Sequence, residues 1–312
     1  MTDKQSTRVS FRENLVDVIE PISNESHVNT DRSCLTNCCS SLYRRIKCLN
    51  TTASFLPLKP PYRTIKITDK TSVSIACNER YLLIKQSPYL CLLNKDLVII
   101  KQIPWPYDHV NLCWSSTLNR FILITAKHIF LFDDTSSTFE QCSTIELIDD
   151  KEWSCGTCSE TSFYLSANDM SKSIYEYTLR PTMTFVKQWN LSNINSNAEG
   201  PLTFTYSNGK LAFIISNVHS FQRRFDVYLS TTFEYLWSIR LNAIAHCCSI
   251  NNQQWLIMEL LNPRLLYISS DGQILEEYQI KVPSENIIWN ALQWDNQRLV
   301  TFTMTKLNLH RL

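Results

Sequence analysis

The chain has 312 residues, of which 44% are hydrophobic and 19% charged, with a formal net charge of +1. This balance excludes a global electrostatic attraction to nucleic acid or to an anionic membrane. The sequence shows no signal-peptide pattern and no run of about 18 apolar residues, so we expect no transmembrane segment and a location in the cytosol or the nucleus.

The first 60 residues differ in composition from the rest. They are rich in Ser, Thr and Asn, contain two weak helical patterns over residues 11–19 and 35–49, and end in a proline-punctuated stretch at residues 56–61. Such a composition predicts a flexible, partly helical tail over residues 1–60, with Pro60-Pro61 as its boundary.

From residue 61 to 312, short β-branched and aromatic runs replace helical periodicity. One sequence pattern recurs: a short apolar run, a polar turn and a strongly apolar strand. The strongly apolar strands begin at Tyr81, Phe121, Phe163, Leu211, Trp255 and Leu299. Spacings of 40 to 48 residues between them match the period of β-propeller blades. The sequence therefore predicts an all-β, six-bladed β-propeller over residues 61–312.

The sixth unit is one strand short, because the chain stops at Leu312 after its third strand. Residues 62–68 alternate as a strand should, and they precede the first full unit without a partner of their own. We expect them to complete the sixth blade, so that the N-terminal and C-terminal strands pair and close the ring. The alternative is a β-sandwich or two smaller β domains.

Residues 62–312 resemble the β-propeller superfamily, nearest to NHL-type and divergent WD-type repeats. The phrase LLYISSDGQILEEYQI, which starts at Leu265, looks like the third and fourth strands of such a blade. The Gly-His and terminal Trp-Asp signatures of regular WD repeats are absent, and Trp294-Asp295 lies between a first and a second strand. The resemblance therefore implies a fold and no functional residues.

A CxxC motif, Cys155 to Cys158, follows Trp153. A redox dithiol needs its first cysteine at a helix N-terminus, where the helix dipole lowers the thiol pKa, and a strand pattern follows this motif instead. Cys77, Cys113 and Cys248 occupy the equivalent region of other blades. We therefore interpret these cysteines as small packing residues.

A second cysteine group lies in the tail. Cys34, Cys38, Cys39 and Cys48, with His27 nearby, fit the ligand spacing of zinc sites poorly. Residues 34–48 are also basic, and acylation there would give a weak membrane attachment. The favoured interpretation is a tail with incidental cysteines, and we expect no metal and no cofactor.

Catalytic motifs are missing from the sequence. It has no GxSxG, HExxH, phosphate-binding glycine loop or dinucleotide fingerprint, and only four glycines. The enzymatic alternative is a metal-dependent lactonase or esterase of the six-bladed type, which needs Glu, Asn and Asp side chains converging from the first strands. Those strands offer mainly Ser, Cys, Thr and apolar residues, so we expect a non-enzyme.

Aromatic and basic residues in the loops suggest an interaction face instead. Several tryptophans fall near the starts of first strands, and the long loop over residues 216–224 is basic. Trp, Tyr and Arg dominate binding hot spots. We expect a monomeric scaffold that binds a protein or peptide through Trp105, Tyr107, Trp153, His219, Arg223, Arg224, Trp289 and Trp294.

Overall fold

The structure is a computed structural model. It describes residues 55–68, 74–107, 111–148, 151–167, 173–191, 199–217, 219–251, 253–261, 263–281, 283 and 286–312. The tail patterns of residues 11–19 and 35–49 and the cysteines from Cys34 to Cys48 lie outside these residues. Within them, no helix is long and apolar enough to span a bilayer.

The described residues form twenty-four strands. The first twelve are β1 (Arg63–Lys66), β2 (Ile75–Cys77), β3 (Leu82–Gln86), β4 (Tyr89–Leu93), β5 (Ile99–Pro104), β6 (Asn111–Ser115), β7 (Arg120–Ile124), β8 (Ile129–Asp133), β9 (Thr138–Gln141), β10 (Trp153–Cys158), β11 (Ser162–Ala167) and β12 (Ser173–Thr178). The others are β13 (Phe185–Asn190), β14 (Glu199–Ser207), β15 (Lys210–Asn217), β16 (Arg223–Leu229), β17 (Tyr235–Leu241), β18 (Ala245–Ile250), β19 (Gln254–Glu259), β20 (Arg264–Ile268), β21 (Ile274–Gln279), β22 (Ile288–Asp295), β23 (Arg298–Thr303) and β24 (Lys306–Arg311).

These strands form six antiparallel four-stranded sheets. Blades 1 to 5 each take four consecutive strands, starting with β2, and their first strands are innermost. The innermost strands β2, β6, β10, β14, β18 and β22 contact one another in a closed circle. The predicted six-bladed propeller is confirmed, and the β-sandwich alternative is wrong.

The N-terminal strand closes the ring, as predicted. β1 pairs antiparallel with β24, with Arg63 opposite Leu309 and Lys66 opposite Lys306. The sheet order β1-β24-β23-β22 makes β1 the outermost strand of blade 6. Two distant parts of the chain thus share one blade, and the backbone hydrogen bonds of β24 are satisfied on both sides.

Six hydrophobic clusters fill the spaces between successive blades. Middle strands supply both neighbouring clusters, because alternate side chains point to opposite faces of a sheet. In β3, Leu82 and Ile84 pack toward blade 6, whereas Leu83 packs toward blade 2. A strand buried on both faces needs an unbroken apolar run, which explains why a strongly apolar strand recurs in each unit of the sequence.

Every innermost strand begins at the same end of the ring. We call this end the upper face; it carries the connections between blades and the turns between second and third strands. The opposite end, the lower face, carries the turns between first and second strands and between third and fourth strands. This antiparallel arrangement decides which loops can act together.

Residues 55–61, which we call the strap, pack against blades 5 and 6. The ring of Phe55 stacks on Tyr267 with centroids 4.4 Å apart, and Leu56 is buried. The Glu276 carboxylate accepts hydrogen bonds from the Phe55 and Leu56 backbone N–H groups at 2.7 and 2.6 Å. These residues, which belong to the segment predicted to be a tail, thus pack on the propeller through their apolar side chains.

Candidate interaction face

Trp105 and Tyr107 lie on the upper face, in the connection from blade 1 to blade 2. Trp105 is buried and lies 5.4 Å from the Phe130 ring centroid in an edge-to-face arrangement. Tyr107 is half-buried and packs on Trp105 at 5.1 Å. The two predicted residues are in contact, but their rings pack between blades 1 and 2. Trp105 is too deeply buried to contact a partner.

The other three predicted tryptophans also pack between blades. Trp153 is buried at the start of β10, and Trp289 is half-buried near the start of β22. Trp294 was expected near the start of a first strand, but it lies at the end of β22, near the lower face. There it is buried, and its indole N–H donates to the Asn78 carbonyl at 2.9 Å.

His219, Arg223 and Arg224 come together on blade 4, in and beside the upper-face turn between β15 and β16. His219 is exposed, and the two arginines are half-buried. Arg224 forms ion pairs with Asp226 at 2.9 Å and with Glu199 at 3.1 Å. Burial acts to lower the pKa of Arg224, but its hydrogen bonds and ion pairs with the two carboxylates raise it above its ordinary value.

The most exposed apolar side chains of this face are residues that no sequence motif indicated. Phe221 and Leu261 are 71% and 77% exposed, at the upper-face turns of the neighbouring blades 4 and 5. Leu202, 40% exposed, lies at an irregularity in β14 between Pro201 and Thr203. We call Leu202, Phe221 and Leu261 the apolar rim; the only sequence signal for it is an apolar residue inside a polar turn.

Local hydrogen bonds shape the Phe221 turn. The Asn217 side-chain oxygen accepts the backbone N–H groups of His219 and Ser220, both at 2.9 Å. The Arg223 guanidinium donates to the Phe221 carbonyl at 3.0 Å. Phe221 itself has a φ of 54°, a left-handed conformation that is rare for a bulky residue and costs on the order of 1–3 kcal/mol.

A buried ion pair fixes the Leu261 turn on both sides. The Glu259 carboxylate is fully buried and accepts from Arg264 at 2.7 Å. It also accepts the Asn242 backbone N–H at 2.7 Å, which ties the turn to the connection between blades 4 and 5. The hydrogen bond from Arg264 to Glu259 raises the pKa of Arg264.

The central channel has a wall of small polar, thiol and apolar side chains. It encloses about 310 Å³ between the six innermost strands. Its described lining contains no aspartate or glutamate, and no group of three or more metal-ligating side chains occurs among the described residues. The converging carboxylates that a lactonase-type metal site needs are therefore missing from this part of the wall.

The CxxC motif does not form a dithiol pair. Cys155 packs toward blade 4 and Cys158 toward blade 2. Cys158 lies instead 3.8 Å from the Cys113 sulfur of blade 2. Burial and the neighbouring Cys113 thiol raise the pKa of Cys158 well above its ordinary value, and burial raises that of Cys155 to about 11. Protonated thiols of this kind favour the packing interpretation.

Gly156 between these cysteines has a packing role. A Cβ atom added there would lie 2.7 Å from the Ile124 side chain and 2.8 Å from the Tyr164 carbonyl oxygen. Blades 2 and 3 thus approach each other too closely at this point for any side chain. The glycine of the motif serves this close contact between blades.

His246 lines the channel, and burial lowers its pKa from 6.5 to about 4. Between pH 6.5 and 4, His246 therefore binds a proton in the unfolded chain but not in the folded chain. The free energy of unfolding should fall as the pH drops through this range. We expect His246→Asn to remove part of this dependence, on the order of 2 kcal/mol. Urea unfolding of both proteins at several pH values measures it, and equal slopes would contradict the expectation.

The fold is similar to that of solved structures with little sequence in common. A chain in a structure described as "Crystal Structure of Mitotic Checkpoint Complex" matches with a TM-score of 0.57 and 10% identity, over 80% of this chain and 95% of that chain. Kuenenia stuttgartiensis hydrazine synthase matches with a TM-score of 0.56 and 11% identity, over 81% and 76%. No family model matches the chain, and no curated protein matches it.

Proposed function

We propose that this protein is a non-enzymatic scaffold that binds a protein or peptide through the upper face of its propeller. One observation carries the proposal: two neighbouring blades present Phe221 and Leu261, 71% and 77% exposed, on adjacent turns. Large apolar side chains exposed on neighbouring turns of one face are typical of interaction surfaces. The first of the similar structures belongs to a protein complex, which agrees with this class of function.

Hydrogen bonds and a buried ion pair stabilise the two turns that carry these side chains. Hydrogen bonds of the Asn217 and Arg223 side chains stabilise the turn in which Phe221 has its unfavourable backbone conformation. Leu261 lies beside the buried Glu259–Arg264 pair. Hydrogen bonds that hold a turn before binding reduce the entropy lost on binding, so the Phe221 and Leu261 side chains can contribute affinity as anchors.

The charge beside the apolar rim indicates the kind of partner. A hollow of about 210 Å³ lies on blade 4 between Gln222, Arg223, Arg224, Ser238 and Arg240. Arg224 is already paired with Asp226 and Glu199, whereas Arg240 is exposed. We propose a partner segment with apolar side chains for the rim and acidic residues for Arg223 and Arg240.

Phe221→Asn with Leu261→Asn tests the proposal. Asparagine tolerates the positive φ at position 221, so the fold should keep its stability. Loss of two hot-spot side chains should lower the recovery of the partner at least about tenfold in quantitative affinity capture from the protein's own cells. The unfolding midpoint of the variant checks that the propeller is intact.

Phe185→Asn with Leu275→Asn is the matched control. These side chains are 51% and 46% exposed, but they lie on the outermost strands β13 and β21, away from the turns of the upper face. The control should recover the partner as well as the unchanged protein does. Equal losses in both double variants, or a loss in the control alone, would reject the upper face as the binding site.

We further propose that the protein works in the cytosol or the nucleus. All eight described cysteines are free, as expected for a reducing compartment. Membrane attachment through residues 34–48 remains a separate proposal. Fractionation of the chain with and without residues 1–54 tests it, because equal distribution of the two proteins would remove the idea.

A further inference from the structure

Blade 6 turns a polar surface toward blade 5. Its strands β1, β23 and β24 place hydroxyl, amide and basic side chains on one side of the sheet. These side chains belong to Thr64, Thr301, Thr303, Lys306, Asn308 and His310. Pairing of Asn308 with both Thr64 and Thr301 puts these residues on the same face. A cavity of about 420 Å³ lies against this surface.

Hydrogen bonds hold this polar wall in place. The Thr301 side chain is fully buried and donates to Nε2 of His310 at 2.9 Å. His310 Nδ1 donates to the Lys59 carbonyl of the strap at 2.7 Å. Burial lowers the pKa of His310, although the bond to Lys59 acts to raise it, so the imidazole is neutral at pH 7. The wall is thus preorganised.

The opposite wall is apolar. It consists of Leu265, Tyr278 and Ile280 of blade 5, and the strap adds Pro57 and Leu58. Ile288, which pairs with Thr303, adds one apolar side chain on the blade 6 side. The volume falls in the range of about 300–1,000 Å³ that is typical of small-molecule sites. One polar and one apolar wall fit a ligand that is itself amphipathic.

The charged side chains among the described lining residues are all basic. Lys306 donates to the Asn286 side-chain oxygen at 3.1 Å, and an ammonium group has three such donors, so it can also bind a ligand. Lys59 is a second cation in the lining. Among the described lining residues there is no aspartate or glutamate to neutralise either. This arrangement favours an anion over a cation.

We propose that the cavity between blades 5 and 6 binds a small amphipathic organic anion. Its acid group would bond to Lys306, and its carbon chain would lie against Leu265, Ile280 and Ile288. The cavity shares no lining residue with the apolar rim, and a ligand there would extend the function beyond a protein scaffold. The class of ligand follows from one cationic polar wall facing one apolar wall.

Calorimetric titration of the full chain with octanoate and with octylammonium tests this inference. Octanoate should bind at one site, and octylammonium at least about tenfold more weakly, because only the anion gains a charge-assisted hydrogen bond. Lys306→Glu should reverse this preference. Lys306→Met should weaken octanoate about tenfold without gaining the cation.

Lys101→Glu is the matched control, because this exposed lysine lies on β5 of blade 1. It should leave the affinity for octanoate unchanged. Failure of octanoate to bind the unchanged protein would overturn the proposal. Equal affinities for octanoate in the unchanged protein and in Lys306→Met would do the same, as would equal affinities for the two titrants.

Discussion

A chain that starts at residue 69 should fail to form a stable monomeric propeller. It lacks β1, so β24 becomes an open edge that can pair with another molecule. It also lacks the buried side chains Leu56 and Ile67. Removing a buried aliphatic side chain costs about 2–5 kcal/mol, so these two losses approach the whole stability of a typical domain, about 5–15 kcal/mol.

A chain that starts at residue 55 is the comparison, because it differs only in the strap, β1 and the residues that follow to 68. Size-exclusion chromatography and urea unfolding of the two proteins measure the effect. The shorter protein should elute as aggregate or unfold at much lower urea, and a peptide of residues 55–68 should restore part of the loss. A monomer with an unchanged midpoint would contradict closure by β1.

Replacing Arg264 by Met should lower the free energy of unfolding by about 3–5 kcal/mol, because it leaves the fully buried Glu259 carboxylate without its cation. Glu277 also loses its contact with Arg264 at 2.9 Å, but that carboxylate is 49% exposed and can turn to water. The Leu261 turn, which lies between these two residues, should loosen as well.

The double variant Glu259→Met with Arg264→Met separates the pair from its parts. It should be more stable than Arg264→Met alone, since no buried charge is left unpaired. Arg298→Met is the control, because its partner Asp295 is 31% exposed, and it should cost less than about 1 kcal/mol. A double variant less stable than Arg264→Met would show that Glu259 supports the turn without needing its cation.

The architecture could be predicted from the sequence because propeller blades leave a strong periodic pattern. Middle strands such as β3, β7 and β11 are buried on both faces, so their apolar runs are unbroken and recur at regular spacing. The missing fourth strand of the last unit and the spare strand at residues 62–68 then fit only one closed arrangement. The strap was less predictable, because prolines and polar neighbours hide the two residues that anchor it.

The candidate site could be predicted only in part. The basic residues of the blade 4 turn lie beside the proposed apolar rim, and their role in binding stays a prediction. The predicted tryptophans are buried or half-buried, since a large ring near a strand start fits between two blades as well as on their surface. Phe221 and Phe225 show the difficulty: four residues apart, one is 71% exposed and the other fully buried. The turn conformation and register decide this, and composition does not record them.

Contacts between side chains of neighbouring blades could not be predicted from the sequence either. Sequence spacing pairs Cys155 with Cys158, whereas the structure pairs Cys158 with Cys113, which is 45 residues away. An odd spacing along an extended strand places two side chains on opposite faces. Only the neighbouring blade shows which thiol meets which.

Hydrogen exchange of the full chain, free and bound to its partner, measures directly whether the upper face is the binding site. Exchange should slow in the complex at the turns of residues 217–223 and 260–264, with little change at the lower-face turns and the outermost strands. Protection confined to the lower face, or to the outer strands β5, β13 and β21, would contradict binding at the upper face.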